Sequence, residues 1–122
     1  MLCITPENNE QILSECGSKN AVILFCREDN VDKGYVAFEQ IGYILQIVGF
    51  EIFGAEEKLR GAHYITADAI LRSLASYAVN HSCFYIECSK KELFPLLMNF
   101  SFEEKDDKIT TNLSQILKVC KN

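Results

Sequence analysis

The sequence predicts a mixed α/β fold in a single domain spanning residues 1–122. Two patterns carry that reading. Between Ala21 and Phe53, three β-rich segments follow one another with turn residues between them, the mark of an antiparallel meander. From Ala67 onward, apolar residues at helical spacing alternate with short apolar runs, as a strand-helix-strand-helix-strand series on a mixed sheet requires. A chain of 122 residues with 48% hydrophobic side chains builds one core and is too short for two ordinary domains.

Thr5, Pro6 and Glu7 form a helix start, with Thr as N-cap, Pro at the first helical position and an acid in the first turn. Gly17 stops that helix after Cys16. Ala21 to Cys26 is a continuous apolar run, and Arg27-Glu28-Asp29-Asn30 supplies turn chemistry before the alternating segment Gly34 to Glu39, which predicts a hairpin. Gly42 breaks the run. Tyr43 to Phe53 then gives a long third strand in which Gly49 marks a bulge or a close backbone approach.

The stretch from Gly54 to His63 is a polar loop with two glycines. Thr66 is placed to cap a helix over Ala67 to Val79, where Ile70, Leu71, Leu74, Ala75 and Ala78 share one face. Cys83 to Cys88 is a short buried strand in which Tyr85 is expected to be a core ring. Ser89 and Glu92 have capping-box spacing, so a helix carrying Leu93, Leu96, Leu97 and Phe100 starts there, with Pro95 pushing its regular part a residue or two later. Ser101 to Lys105, the turn Asp106-Asp107 and Lys108 to Thr111 form a strand pair. Asn112 caps a last helix with Leu113, Ile116, Leu117 and Cys120 on one face.

The net charge of -5 excludes attraction to phosphate backbones or anionic lipid by bulk electrostatics, so neither nucleic acid nor membrane is an expected partner. The N-terminus has neither a basic nor an apolar leader segment, and no run approaches the ~20 apolar residues of a membrane span. A cytoplasmic protein is expected. Cys3, Cys16, Cys26, Cys83, Cys88 and Cys120 lack the regular spacing of a disulfide framework and read as reduced, inert thiols. The tightest pair, Cys83 and Cys88, has only His63 and His81 as further ligands, so no metal is expected.

The helix words Ala69-Ile70-Leu71-Arg72-Ser73-Leu74 with Tyr77-Ala78, and the ending Asn99-Phe100-Ser101-Phe102-Glu103-Glu104, resemble the acetyl-CoA-binding half of the GNAT superfamily of N-acetyltransferases. The resemblance covers Tyr43 to Phe102 and implies a GNAT-like acyl-CoA N-acyltransferase fold. It implies acetyl-CoA as co-substrate and a small-molecule or protein amine as acceptor. Ile52 and Phe53 at the strand end, with Arg60, Gly61 and Ala67, fall where the family binds the cofactor. Glu51 falls where it places a general base that deprotonates the acceptor amine through water. Apolar sequence neighbours raise the pKa of such a carboxyl when they enclose it; the alternative is that Glu51 faces solvent on an alternating strand.

Two departures from the family pattern stand out. The phosphate-binding loop is degenerate: Tyr64-Ile65-Thr66 precedes Ala67, and Asp68 puts a carboxylate in the expected first turn, where it opposes a diphosphate. The family's acidic tyrosine falls on Leu97, leaving Tyr85 or Tyr64 as substitutes. His63 is a candidate ligand contact, and Arg72 is placed to pair with Asp68 four residues away. Three readings follow: an N-acetyltransferase, a catalytically inactive GNAT-like domain that binds a ligand or protein, and a dimerisation module. A single short N-terminal helix leaves little material to wall an acceptor pocket, so a partner subunit, as in a homodimer, is a candidate to complete it.

Overall fold

The structure is a computed structural model, and it describes residues 1–119. Strands β1 (Leu2–Pro6), β2 (Val22–Glu28), β3 (Val31–Ile41) and β4 (Ile44–Ile52) form an antiparallel array. β5 (Tyr85–Cys88) joins β4 in parallel, and β6 (Glu103–Lys105) and β7 (Lys108–Asn112) complete a seven-stranded sheet in the order β1-β2-β3-β4-β5-β7-β6. Helix α2 (Gly61–Asn80) crosses between β4 and β5, and α1 (Glu10–Cys16) lies on the opposite face.

The N-terminus corrects the first expectation. Leu2 to Pro6 is an edge strand paired with β2, and the helix starts at Glu10, with the Asn9 side chain accepting from the Ile12 amide at 3.1 Å. Leu2 and Ile4 suit a pleated edge that β2 would otherwise leave bare, and Pro6 is tolerated because an edge strand need not donate there. Gly17 does end the helix, at a φ of 71° that favours glycine, with its amide and that of Ser18 closing on Ser14 and Leu13.

The meander is as expected and one strand larger. Asp29 and Asn30, both at positive φ, make the two-residue turn between β2 and β3. Both readings of Gly49 are realised. The β3–β4 pairing steps from Ala37 opposite Gly49 to Phe38 opposite Ile47, leaving Val48 as the extra residue of a bulge. A Cβ on Gly49 would run into the Cys16 Sγ, so the missing side chain lets α1 lie directly on β4.

Helix α2 begins six residues before the expected start, at Gly61, with Arg60 as N-cap and no side-chain cap bond. Tyr64 accounts for the extension: its ring stacks on Phe100 with centroids 5.0 Å apart, contact that a loop at 61–66 would leave unmade. Thr66, the expected cap, is buried inside the helix. Burying Ile70, Leu71 and Leu74 stabilises the helix-sheet contact by roughly 5 to 9 kcal/mol, which far exceeds what helix propensity alone supplies.

The helix expected from Ser89 shrinks to a 3-10 turn at Lys91–Leu93 and a single α turn, α3 (Phe94–Leu97). Pro95 shifts the regular part as expected, because its ring blocks the preceding turn. The strand pair β6–β7 turns at Asp106-Asp107, and α4 (Leu113–Val119) follows, with the Asn112 side chain accepting from the Gln115 amide. Cys120 lies outside the described residues. Tyr85 is not a core ring; it is half exposed at the start of β5, because Ile86 and Cys88 take the buried side of that strand.

Candidate functional site

The parallel pairing of β4 with β5 stops early. It runs from Ile44–Tyr85 to Ile47–Cys88, whereas β4 continues to Ile52 in full register with β3. The bulge at Val48 bends β4 where β5 ends, so residues 48–52 have a free edge toward β5. Polar ties close the apex of this V. Gln46 Nε2 donates to Ser89 Oγ at 3.1 Å, and Lys90 Nζ donates to the Cys16 carbonyl at 2.6 Å, joining the end of β5 to the end of α1.

A cleft of about 250 Å³ opens along the free edge, lined on one side by Phe50, Glu51 and Ile52 and on the other by Leu93 and Leu96. Glu51 is exposed, as the alternating-strand reading expects, and it stands on the wall of this cleft. Apolar residues do not enclose it. Glu56, Glu57 and Glu92 line the same cleft, which makes its mouth acidic.

The expected cofactor residues divide among three places. Ile52 lines the cleft. Phe53 turns away from it, packs against Phe25 and Tyr35, and borders a second cavity of about 300 Å³ with Lys33, Ala62 and His63. Arg60 and Gly61 stand exposed at the start of α2. Ala67 is fully buried as the seventh residue of α2, so its amide is inside the helical ladder and away from any anion.

Asp68, expected in the first turn, is the eighth residue of α2 and pairs with Arg72 at 2.9 Å, as the four-residue spacing predicts. The first turn holds no acid. No side chain caps it, its His63 and Tyr64 amides close on the Arg60 carbonyl, and the cavity beside it mixes charge, with Lys33 and His63 on its wall together with Glu28 and Asp32.

Sequence reasoning missed two residues. Asn99 fastens the loop between β4 and α2 to α3: its Oδ1 accepts from the Leu59 amide at 3.0 Å, and its Nδ2 donates to the Glu57 carbonyl at 2.7 Å and the Leu96 carbonyl at 2.8 Å. No local pattern signals a side chain that bridges 40 residues. Asn99→Ala is expected to cost about 1–3 kcal/mol in urea unfolding, because the amide of the buried Leu59 loses its partner.

Tyr35 is the second. It lies directly opposite Glu51 across β3–β4, and its pKa is pushed up to about 12, chiefly by burial and then by Cys16, Glu51 and Glu15. Leu97, at the family's tyrosine position, is fully buried, and Tyr64 lines a separate cavity with Asp68 and Phe100. A hydroxyl held that far above the thiol range gives up its proton less readily than a thiol does, so Tyr35 is a poor donor to a leaving thiolate.

Four of the thiols are core thiols, as expected, and Cys3, at the edge strand, is not. Cys16, Cys26, Cys83 and Cys88 are buried, free, and raised in pKa chiefly by that burial, while Cys3 is free and exposed. Among the described residues no cluster of three or more His, Cys, Asp or Glu could hold a metal ion. No helix among them is long and apolar enough to cross a membrane.

A mixed sheet whose central parallel pair splays at a bulge, with a helix starting just beyond the longer strand, is the GNAT acyltransferase architecture. Solved structures match it over nearly the whole chain. The ribosomal-protein-S18-alanine N-acetyltransferase of Escherichia coli superimposes with a TM-score of 0.67 and 8% identity, over 93% of this chain and 94% of that one. The IAA acetyltransferase of Bacillus cereus gives 0.59 and 12%, over 92% and 99%. A GNAT-family N-acetyltransferase of Escherichia coli in complex with CoA gives 0.58 and 14%, over 94% and 84%. No family model matches the sequence, and no curated protein matches it. The chain therefore has the GNAT-like fold, at identities that fix the fold alone.

Proposed function

We propose that this chain is an N-acetyltransferase that moves an acetyl group from acetyl-CoA to an amine in the cytoplasm. The observation that carries the reading is the free edge of β4 at residues 48–52 with Glu51 beside it. An unpaired strand edge offers amide and carbonyl groups to an extended, amide-bearing chain, as in strand addition, and the pantetheine arm of CoA is such a chain. In this reading Arg60 and Gly61 at the uncapped start of α2, with His63 and Lys33, take its phosphates against the opposing charge of Glu28 and Asp32 in the same cavity, and Ile52 takes the acyl end.

Glu51 then takes a proton from the acceptor ammonium through water in the cleft, leaving a neutral amine to attack the thioester carbonyl. In this reading amides on the free edge of β4 hold the carbonyl oxygen as negative charge develops on it. As the carbon–sulfur bond breaks, the nitrogen gives up its second proton, and water in the cleft relays it to the departing thiolate, because Tyr35 is a poor donor and Tyr64 lines a different cavity. The acidic mouth made by Glu56, Glu57 and Glu92 favours a cationic acceptor, either a free amine or an amine on a protein.

A second reading, a non-catalytic relative that binds a ligand or protein, is favoured by the buried Leu97 at the tyrosine position and by the loop that Asn99 clamps. A thiol-release assay with acetyl-CoA and a panel of amines separates the two. The transferase reading expects CoA release that depends on the amine. Acetyl-CoA binding without release by any small amine or amine-bearing peptide would favour the second reading.

A further inference from the structure

The end of the sheet opposite the cleft differs from the rest of the surface. Charged residues make up 24% of the chain, yet positions 40–50, 73–86 and 109–117 contain no Asp, Glu, Lys or Arg. The fold brings parts of these three runs together. Ile44 pairs with Tyr85 and Tyr85 with Asn112, the Phe84 amide donates to the Tyr43 carbonyl at 2.9 Å, and Gln40 Nε2 donates to the His81 carbonyl at 3.3 Å.

On this uncharged end stand Ile41, Tyr43, Phe84 and Tyr85, each between 49 and 66% exposed, with the Tyr43 and Phe84 rings 5.7 Å apart. Aromatic enrichment with charge depletion marks the core of an interface, not ordinary surface. The three rings and Ile41 leave roughly 400 Å² of apolar surface in water, at the upper end for a lone protein and about half of what each partner contributes to a standard interface.

Charge decides the occupant. The chain carries a net charge of -5, so two copies meeting through most faces bring like charges together. The runs that meet at this end carry no formal charge; of the charges that flank them, Glu87 is paired with Lys108 at 3.0 Å and Glu39 adds one acid at the border. A two-fold contact sets a patch against a copy of itself, so a patch with little net charge favours it by avoiding like-charge repulsion. We propose that the end formed by Ile41, Tyr43, Phe84 and Tyr85 is a two-fold interface with a second copy of this chain. The inference does not depend on acyl transfer, because the patch lies away from the cleft.

Sedimentation equilibrium on the full chain tests it. The expected mass is twice 13.9 kDa, and Tyr43→Glu with Phe84→Glu should return a folded monomer because each new carboxylate faces its own symmetry copy. Ile65→Glu, an exposed apolar position at the other end of α2, should leave the dimer intact. The chain has no tryptophan, so Phe84→Trp provides an independent readout: its emission should shift to the red on dilution as the dimer parts. A wild-type monomer at about 100 μM would overturn the proposal, leaving this end to another partner. So would a dimer that the charged variants leave intact, or Phe84→Trp emission constant across dilution.

Discussion

Glu51→Gln is expected to lower the turnover of acetyl transfer by about 10²- to 10⁴-fold while leaving acetyl-CoA affinity unchanged. The side chain is exposed into the cleft and the substitution keeps its shape, so neither the pairing of Glu51 with Tyr35 nor the lining of the cleft is disturbed. What is lost is a base able to take a proton from the acceptor ammonium. Steady-state kinetics with acetyl-CoA held saturating should show the loss in kcat, and raising the pH should recover part of it by delivering the amine already neutral. Equal turnover in the variant would remove Glu51 from the mechanism and leave the cleft without a base on β4.

Gly34→Ala is expected to be the most damaging single-methyl change for the fold. A Cβ at position 34 would run into the backbone carbonyl oxygen of Glu51, with the Ile52 Cδ1 3.1 Å away and the Ile52 Cα 3.2 Å away. A flexible side chain could swing aside, but a strand backbone moves only by separating β3 from β4. Overpacking of this kind costs about 3 kcal/mol, which for a domain of this size lowers the melting temperature by about 10 °C. The same movement displaces Glu51, so activity at a permissive temperature should fall as well. A melting temperature within about 2 °C of wild type would show that the β3–β4 pairing yields more easily than its geometry indicates.

The sequence reading succeeded where the physics is local. The meander, the Asp29-Asn30 and Asp106-Asp107 turns, the stop at Gly17 and the bulge beside Gly49 follow from residue types that tolerate few backbone conformations. It failed where a distant contact outweighs a local signal. Thr5-Pro6-Glu7 has the form of a helix start, yet the bare edge of β2 takes Leu2–Pro6 as a strand. Thr66 has the form of a cap, yet the stacking of Tyr64 on Phe100 carries the helix back to Gly61.

That second miss also misplaced part of the site. Asp68 lies in an ion pair with Arg72 and not at the helix start, where Glu28 and Asp32 are the acids on the adjoining cavity, and Ala67 lies in the core. The places of Glu51 and Ile52 beside the cleft are legible because a strand alternates simply and its end is easily found. Tyr35 and Asn99 were not, because their roles depend on partners 16 and 40 residues away.

Acetyl-CoA binding tests the central claim most directly. Thermal unfolding followed in increasing acetyl-CoA should show a rising transition, with stabilisation of about 2.7 kcal/mol once the ligand reaches 100 times its dissociation constant. The rise should persist in Glu51→Gln and weaken when Arg60 is replaced by Ala. An unchanged transition at millimolar acetyl-CoA would contradict the account: the free edge of β4 and the start of α2 would then be features of the fold that this chain does not use for CoA.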